Sequence, residues 1–204
     1  MKREDFKYEL LRDDKIWEGV WLYRIRARKN FGDVKAGDLG GYVQSEENLS
    51  QKGDCWVYDS GRVYGKARVS GNAEVWARVY GRAQVSGYAR ICNDARVYGK
   101  ARVFGNAIIC DNAQVYGCAQ VYDDVRMSGY SWAYQYAKVS GTAWLDAYAR
   151  IHGAAEASRD YYGGYQDIIV CDSRRVQPYG HAQVSKHAKI FGDAKVYGDA
   201  RVSK

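Results

Sequence analysis

The stretch ARVYGRAQVSGYARICNDARVYGKARVFGNAIICDNAQVYGCA (residues 77–119) repeats a six-residue unit without a slip, and the beat continues to Ala155. Small residues fall at Ala77, Ala83, Ala89, Ala95, Ala101, Ala107, Ala113 and Ala119, then at Val125, Ser131, Ala137, Ala143, Ala149 and Ala155. Two residues after each stands an aliphatic: Val79, Val85, Ile91, Val97, Val103, Ile109, Val115, Val121, Met127, Val139, Leu145 and Ile151, with Ala133 the weak member. A fixed six-residue period predicts an all-β chain wound as a parallel β-helix, because one unit cannot bury its own apolar face and must stack on the next.

A second period of eighteen lies inside the first. Tyr80, Tyr98, Tyr116 and Tyr134 are spaced by it, with His152 next in line. Three hexads therefore make one coil with three flat faces, and each residue stands over its counterpart one coil below at the parallel-strand spacing of about 4.8 Å. The aliphatic residue points inward, the residue after it outward, and the small residue fills a tight corner. Gly81, Gly87, Gly99, Gly105, Gly117, Gly129, Gly141 and Gly153, with Asn93, Asp111 and Asp123, fall at the turns and are the types that tolerate positive φ.

The chain of 204 residues is expected to form one elongated domain. Residues 1–56 form an N-terminal cap and lead-in, with KIWEGVWLYRIRARKNF alternating as one or two antiparallel strands do. The coils span 57–155, interrupted where the step from Val75 to Val79 is four residues rather than six, a shortened corner ending in Trp76. Residues 156–178 break the period and are expected to loop out, with a strand at DIIVC; coils resume over 179–204 and stop in mid-repeat. An open coil end invites a second chain, so a homo-oligomer is expected. No apolar run approaches a membrane span, and the charged start lacks a signal-peptide core, so the chain is expected in the cytoplasm with no membrane partner. Its five cysteines are then expected to stay reduced, including the stacked pair Cys92 and Cys110.

Charge is concentrated on the coils. Residues 61–155 carry twelve Lys or Arg against six Asp or Glu, most of the net +7 of the whole chain. Two residues before each member of the tyrosine column, the outward positions read Arg78, Arg96, Gln114, Trp132 and Arg150. The predicted ligand-binding set is Arg78, Tyr80, Arg96, Tyr98, Tyr116, Tyr134 and Arg150, a ladder of guanidinium and phenol groups suited to phosphate, nucleobase or protein contacts. Cross-strand stacking and the solubility of strand edges account for the same residues without a ligand. The turn glycines lie on the six-residue grid and do not form a phosphate loop.

The V-Y/S/F-G-x-A-x hexads resemble the L/I/V-x-x-x-S/T/A/V-x signature of left-handed parallel β-helix proteins. The segment GDLGGYVQSEENLSQKGDCWVY (Gly37 to Tyr58) is similar to the lead-in of a group of bacterial and phage or prophage proteins that often carry an acetyltransferase label. The resemblance implies a left-handed coil and a phage-type origin. It also implies an alternative function, a trimeric acyl-CoA-dependent acetyltransferase using acetyl-CoA, with His152 as general base beside the 156–178 segment. His181 and His187 sit in a generic corner slot, and their six-residue separation departs from the pattern of the γ-class carbonic anhydrases, so no metal site is expected. Fold alone does not confer activity. The favoured expectation is a non-catalytic binding scaffold with no cofactor, engaging a host protein or a nucleotide-like anion through the Arg/Tyr face.

Overall fold

The computed structural model describes residues 5–11, 17–146 and 149–152. It gives the backbone alone of Lys15, Ile16 and the strands Glu156–Arg159, Ile169–Val170, Gln177–Tyr179, Gln183–Ser185, Lys195–Tyr197 and Arg201–Val202. The described chain is a β-solenoid of about six coils with no α-helix. Each coil contributes two-residue strands, such as Arg96–Val97, Arg102–Val103 and Ile108–Ile109, to three parallel sheets. On the first face the register runs Val63, Val79, Val97, Val115, Ala133, Ile151. These side chains and their counterparts on the other faces are 0–1% exposed, as are the corner alanines from Ala83 to Ala149. Burying each valine contributes roughly 1.5 kcal/mol, and the alanines keep the corners tight enough for three valines to meet on the axis.

Turns are held by backbone conformation and by side-chain ladders. Gly81, Gly99 and Gly117 take positive φ, and so do Asn93, Asp111, Asp123 and Gln135. At Gly105 (φ 71°) an added Cβ would lie 2.6 Å from the Asp123 nitrogen of the next coil, so glycine is required by space as well as by φ. Asp111 accepts from Asn93 Nδ2 at 2.9 Å below and from the Gly129 amide at 3.1 Å above.

The N-terminal cap contains β1 (Tyr8–Leu10), β2 (Lys15–Trp17), β3 (Val20–Ala27) and β4 (Leu39–Val43). Strands β1 and β2 both pair antiparallel with β3, β3 pairs antiparallel with β4, and β4 pairs parallel with Arg62–Val63. The expected antiparallel element is thus welded onto the first face, where it supplies partners to the edge of the first coil. Lys7 pins it from inside. Its buried ammonium donates to Cys55 O at 2.7 Å and Gly53 O at 3.1 Å, and lies 4.9 Å from the Phe31 ring centre.

The shortened corner is present as read. Glu74–Val75 is followed directly by Arg78–Val79, so across this step residues stack sixteen apart instead of eighteen. The freed space is taken by Trp76, which stacks on Tyr58 at 4.3 Å and 11°, beneath the Arg90 guanidinium. An open cleft of about 590 Å3 lies there, lined by Asp59, Trp76, Arg90 and Asp94 among others.

One expectation is corrected. Cys92 and Cys110, with Cα atoms 4.7 Å apart, are bonded through their sulfurs rather than held as separate thiols. Stacking in register puts two like side chains within reach of each other, and here that proximity prevails over the expectation of reduced thiols drawn from the compartment. Within 156–178, Glu156–Arg159 continues the second face beside Lys138–Gly141, and Ile169–Val170 continues the third beside Trp144–Leu145. The ladders therefore pass through the segment expected to loop out, and DIIVC holds a strand. Residues 160–168 and 171–176 lie outside the described residues.

Candidate functional site

The first face is built by repetition. Each hexad places an arginine or its replacement on the strand and a ring just after it, both outward because the intervening valine points in. The rings form one file: Tyr64, Tyr80, Tyr98, Tyr116, Tyr134 and His152, with successive centres 5.1, 4.9, 4.9, 5.0 and 4.8 Å apart. The four tyrosine pairs are within 8° of parallel, and His152 tilts by 20°. Each inner ring is therefore covered on both faces by its neighbours, and the file offers edges and hydroxyls outward. Crowding disfavours phenolate: burial pushes Tyr64 and Tyr98 up to about 12 and raises Tyr80 and Tyr116 as well. The hydroxyls remain neutral donors at ordinary pH.

Beside the file, Arg62, Arg78, Arg96, Gln114, Trp132 and Arg150 stand in register. Like charges opposed at ladder spacing repel. At the lower end the chain relieves this itself. The β2–β3 hairpin lays Trp17 against Arg62, 3.8 Å from guanidinium carbon to ring centre, and brings Glu18 to Arg78 at 3.8 Å. The Tyr64 hydroxyl donates to the same carboxylate at 3.3 Å. Glu18 occupies the hairpin tip with φ 48°, before Gly19 at 77°. Farther up, Tyr98 donates to Gln114 at 3.2 Å, and Arg150 lies over Trp132 at 4.1 Å, whose indole stands edge-on to Tyr116 and Tyr134. Arg96 has no ion pair among the described residues.

The structure thus brings all seven predicted ligand-binding residues, Arg78, Tyr80, Arg96, Tyr98, Tyr116, Tyr134 and Arg150, onto one face. It adds four that sequence reasoning missed: Arg62, Tyr64, Trp17 and Glu18. Arg62 and Tyr64 were hidden by the sixteen-residue step. The turn in KIWEGVW signals a hairpin, but nothing local in the sequence says where its tip lands.

His152 is 5% exposed and lies flat on Tyr134. Burial, then the Arg150 charge, holds its imidazole below the ordinary range. His181 and His187 lie outside the described residues. Among the described residues, no group of three His, Cys, Asp or Glu side chains is arranged to hold a metal, and no helix is long and apolar enough to cross a membrane.

The other faces are mixed. On the second, Phe104 stacks on Tyr122 at 4.9 Å beneath Arg102. On the third, Glu74 pairs with Arg90 at 2.9 Å, Ser128 donates to Asp146 at 2.9 Å, and Trp144 is 40% exposed.

Residues 89–103 match the family described as YdcK Beta solenoid repeat. A protein of Escherichia coli (strain K12) named "Uncharacterized acetyltransferase YdcK" is 38% identical over 71 residues, which is 34% of this chain and 21% of that protein. The chain spans about a fifth of the length of the curated relative it matches. Together with the three parallel ladders, these likenesses identify a β-solenoid whose repeats are similar to those of the acetyltransferase-labelled YdcK group.

Proposed function

We propose that the protein is a rigid, non-catalytic scaffold that binds an anionic partner, a protein or a nucleotide-like anion, through its first face. The reading is carried by the arginine ladder, in which like charges are held at strand spacing and Arg96 stands without a carboxylate among the described residues. A bound anion would relieve that repulsion, and the Tyr80 and Tyr116 hydroxyls, on rings in the same file, would donate to it. Because the rings cover one another, contact through edges and hydroxyls is favoured over the stacking of bases.

Binding should be salt-sensitive, and Arg96→Ala should weaken it by about fivefold, the worth of one exposed charge pair near 1 kcal/mol. Thermal-shift measurements with a nucleotide panel and with acetyl-CoA test the reading. Stabilisation by anions that Arg96→Ala reduces supports it. Stabilisation by acetyl-CoA alone, with turnover that His152→Gln removes, would transfer the assignment to the acyltransferase reading. That second reading draws on the relative's name; against it, His152 sits buried in a ring stack, which suits packing better than proton transfer to a substrate.

A further inference from the structure

The hairpin contact at the foot of the first face is an intramolecular example of what this face accepts. Its tip offers an aromatic ring to one arginine and a carboxylate to the next, and that carboxylate also takes a tyrosine hydroxyl. Above the hairpin the face carries arginine beside phenol at Arg96 and Tyr98, and arginine beside imidazole at Arg150 and His152. Between the two arginines stand Gln114 and Trp132, an amide and a flat indole. Arg96 and Arg150 are three rungs apart on the ladder, about 14 Å at the spacing of parallel strands. An extended peptide advances about 3.4 Å per residue and shows alternate side chains to one side, so residues i and i+4 cover that distance on one edge.

We propose that the first face above the hairpin is a docking strip for an extended acidic segment of a partner protein, with two carboxylates four residues apart seated on Arg96 and Arg150. The residue between them on the same edge falls between Gln114 and Trp132, where a ring or an amide fits. A carboxylate is preferred to a nucleic acid because the chain itself uses one on this ladder, and because the covered ring faces offer no platform for bases. The proposal rests on the scaffold reading above and narrows its partner.

Fluorescence anisotropy with a short fluorescein-labelled peptide tests it, using glutamates four residues apart in a threonine-rich background. A peptide of the same composition with adjacent glutamates and a single-stranded oligonucleotide serve as the other probes. The spaced peptide should bind, lose affinity about fivefold with Arg96→Gln and with Arg150→Gln, and be unaffected by Arg126→Gln on the third face. Unchanged melting temperatures of the variants confirm that they fold. Equal binding of the two peptides, or binding indifferent to Arg96 and Arg150, overturns the docking strip. If the oligonucleotide binds through Arg96 and the spaced peptide does not, the strip fails while the anion-scaffold reading stands. If neither binds, both fail.

Discussion

Single residues set the limits of this fold. At Gly105 an alanine would need a left-handed backbone and would press on the Asp123 amide, so Gly105→Ala should cost about 1 to 3 kcal/mol and lower the melting temperature by several degrees. An unchanged melting curve would mean the turn can flip. His152 gives a sign that can be checked by pH. Burial and Arg150 depress its pKa in the folded chain, so the unfolded chain takes the proton first. The stabilisation by neutral His152 is full above the unfolded value of about 6.5 and is lost as pH falls from there toward the folded value. Between about pH 7 and pH 5 the native protein should therefore lose more melting temperature than His152→Gln does. Parallel losses would show that the ring is solvated. These positions were legible in sequence to different degrees. The eighteen-residue period placed His152 next in line after the tyrosines, but Gln135 carried no turn signal, since only stacking above Gly117 forces its positive φ of 59°.

At the scale of elements, the cap depends on an unusual anchor. Lys7 replaces what would be an apolar plug by an ammonium that satisfies two carbonyls inside the first coil, and burial lowers its pKa. Lys7→Met keeps the volume but orphans those carbonyls, and should destabilise by roughly 1 to 3 kcal/mol, measured by urea titration. A neutral result would mean that water replaces the ammonium. That one or two antiparallel strands lie where β2 and β3 form was readable from alternation, because a half-buried strand must alternate. The docking of their hairpin on Arg62 and Arg78 was not, because that contact is long-range and depends on how β3 crosses the first coil. The disulfide-linked pair shows a different limit: its column and the nearness of the two cysteines were visible in the period, whereas the bond itself ran against the expectation of reduced thiols.

At the scale of the molecule, contacts among the described residues run almost entirely between adjacent coils, so stability should vary along the axis instead of being shared evenly. Amide hydrogen exchange should be slowest in the coils between Val79 and Val139 and quicker toward the cap. Uniform protection would contradict this and indicate one cooperative unit. The three-faced coil and its core were the most legible features, since both follow from a six-residue rhythm sustained over many turns. Repetition of that kind also carries a hazard. Near-identical hexads let a growing chain pair one coil out of phase, with every valine still buried. The two-residue deficit at Trp76 removes that degeneracy. A slipped strand would carry the deficit to the wrong storey, leaving the indole without Tyr58 beneath it and the Glu74–Arg90 pair broken. The irregular corner thus acts as a zero mark from which the remaining coils are counted.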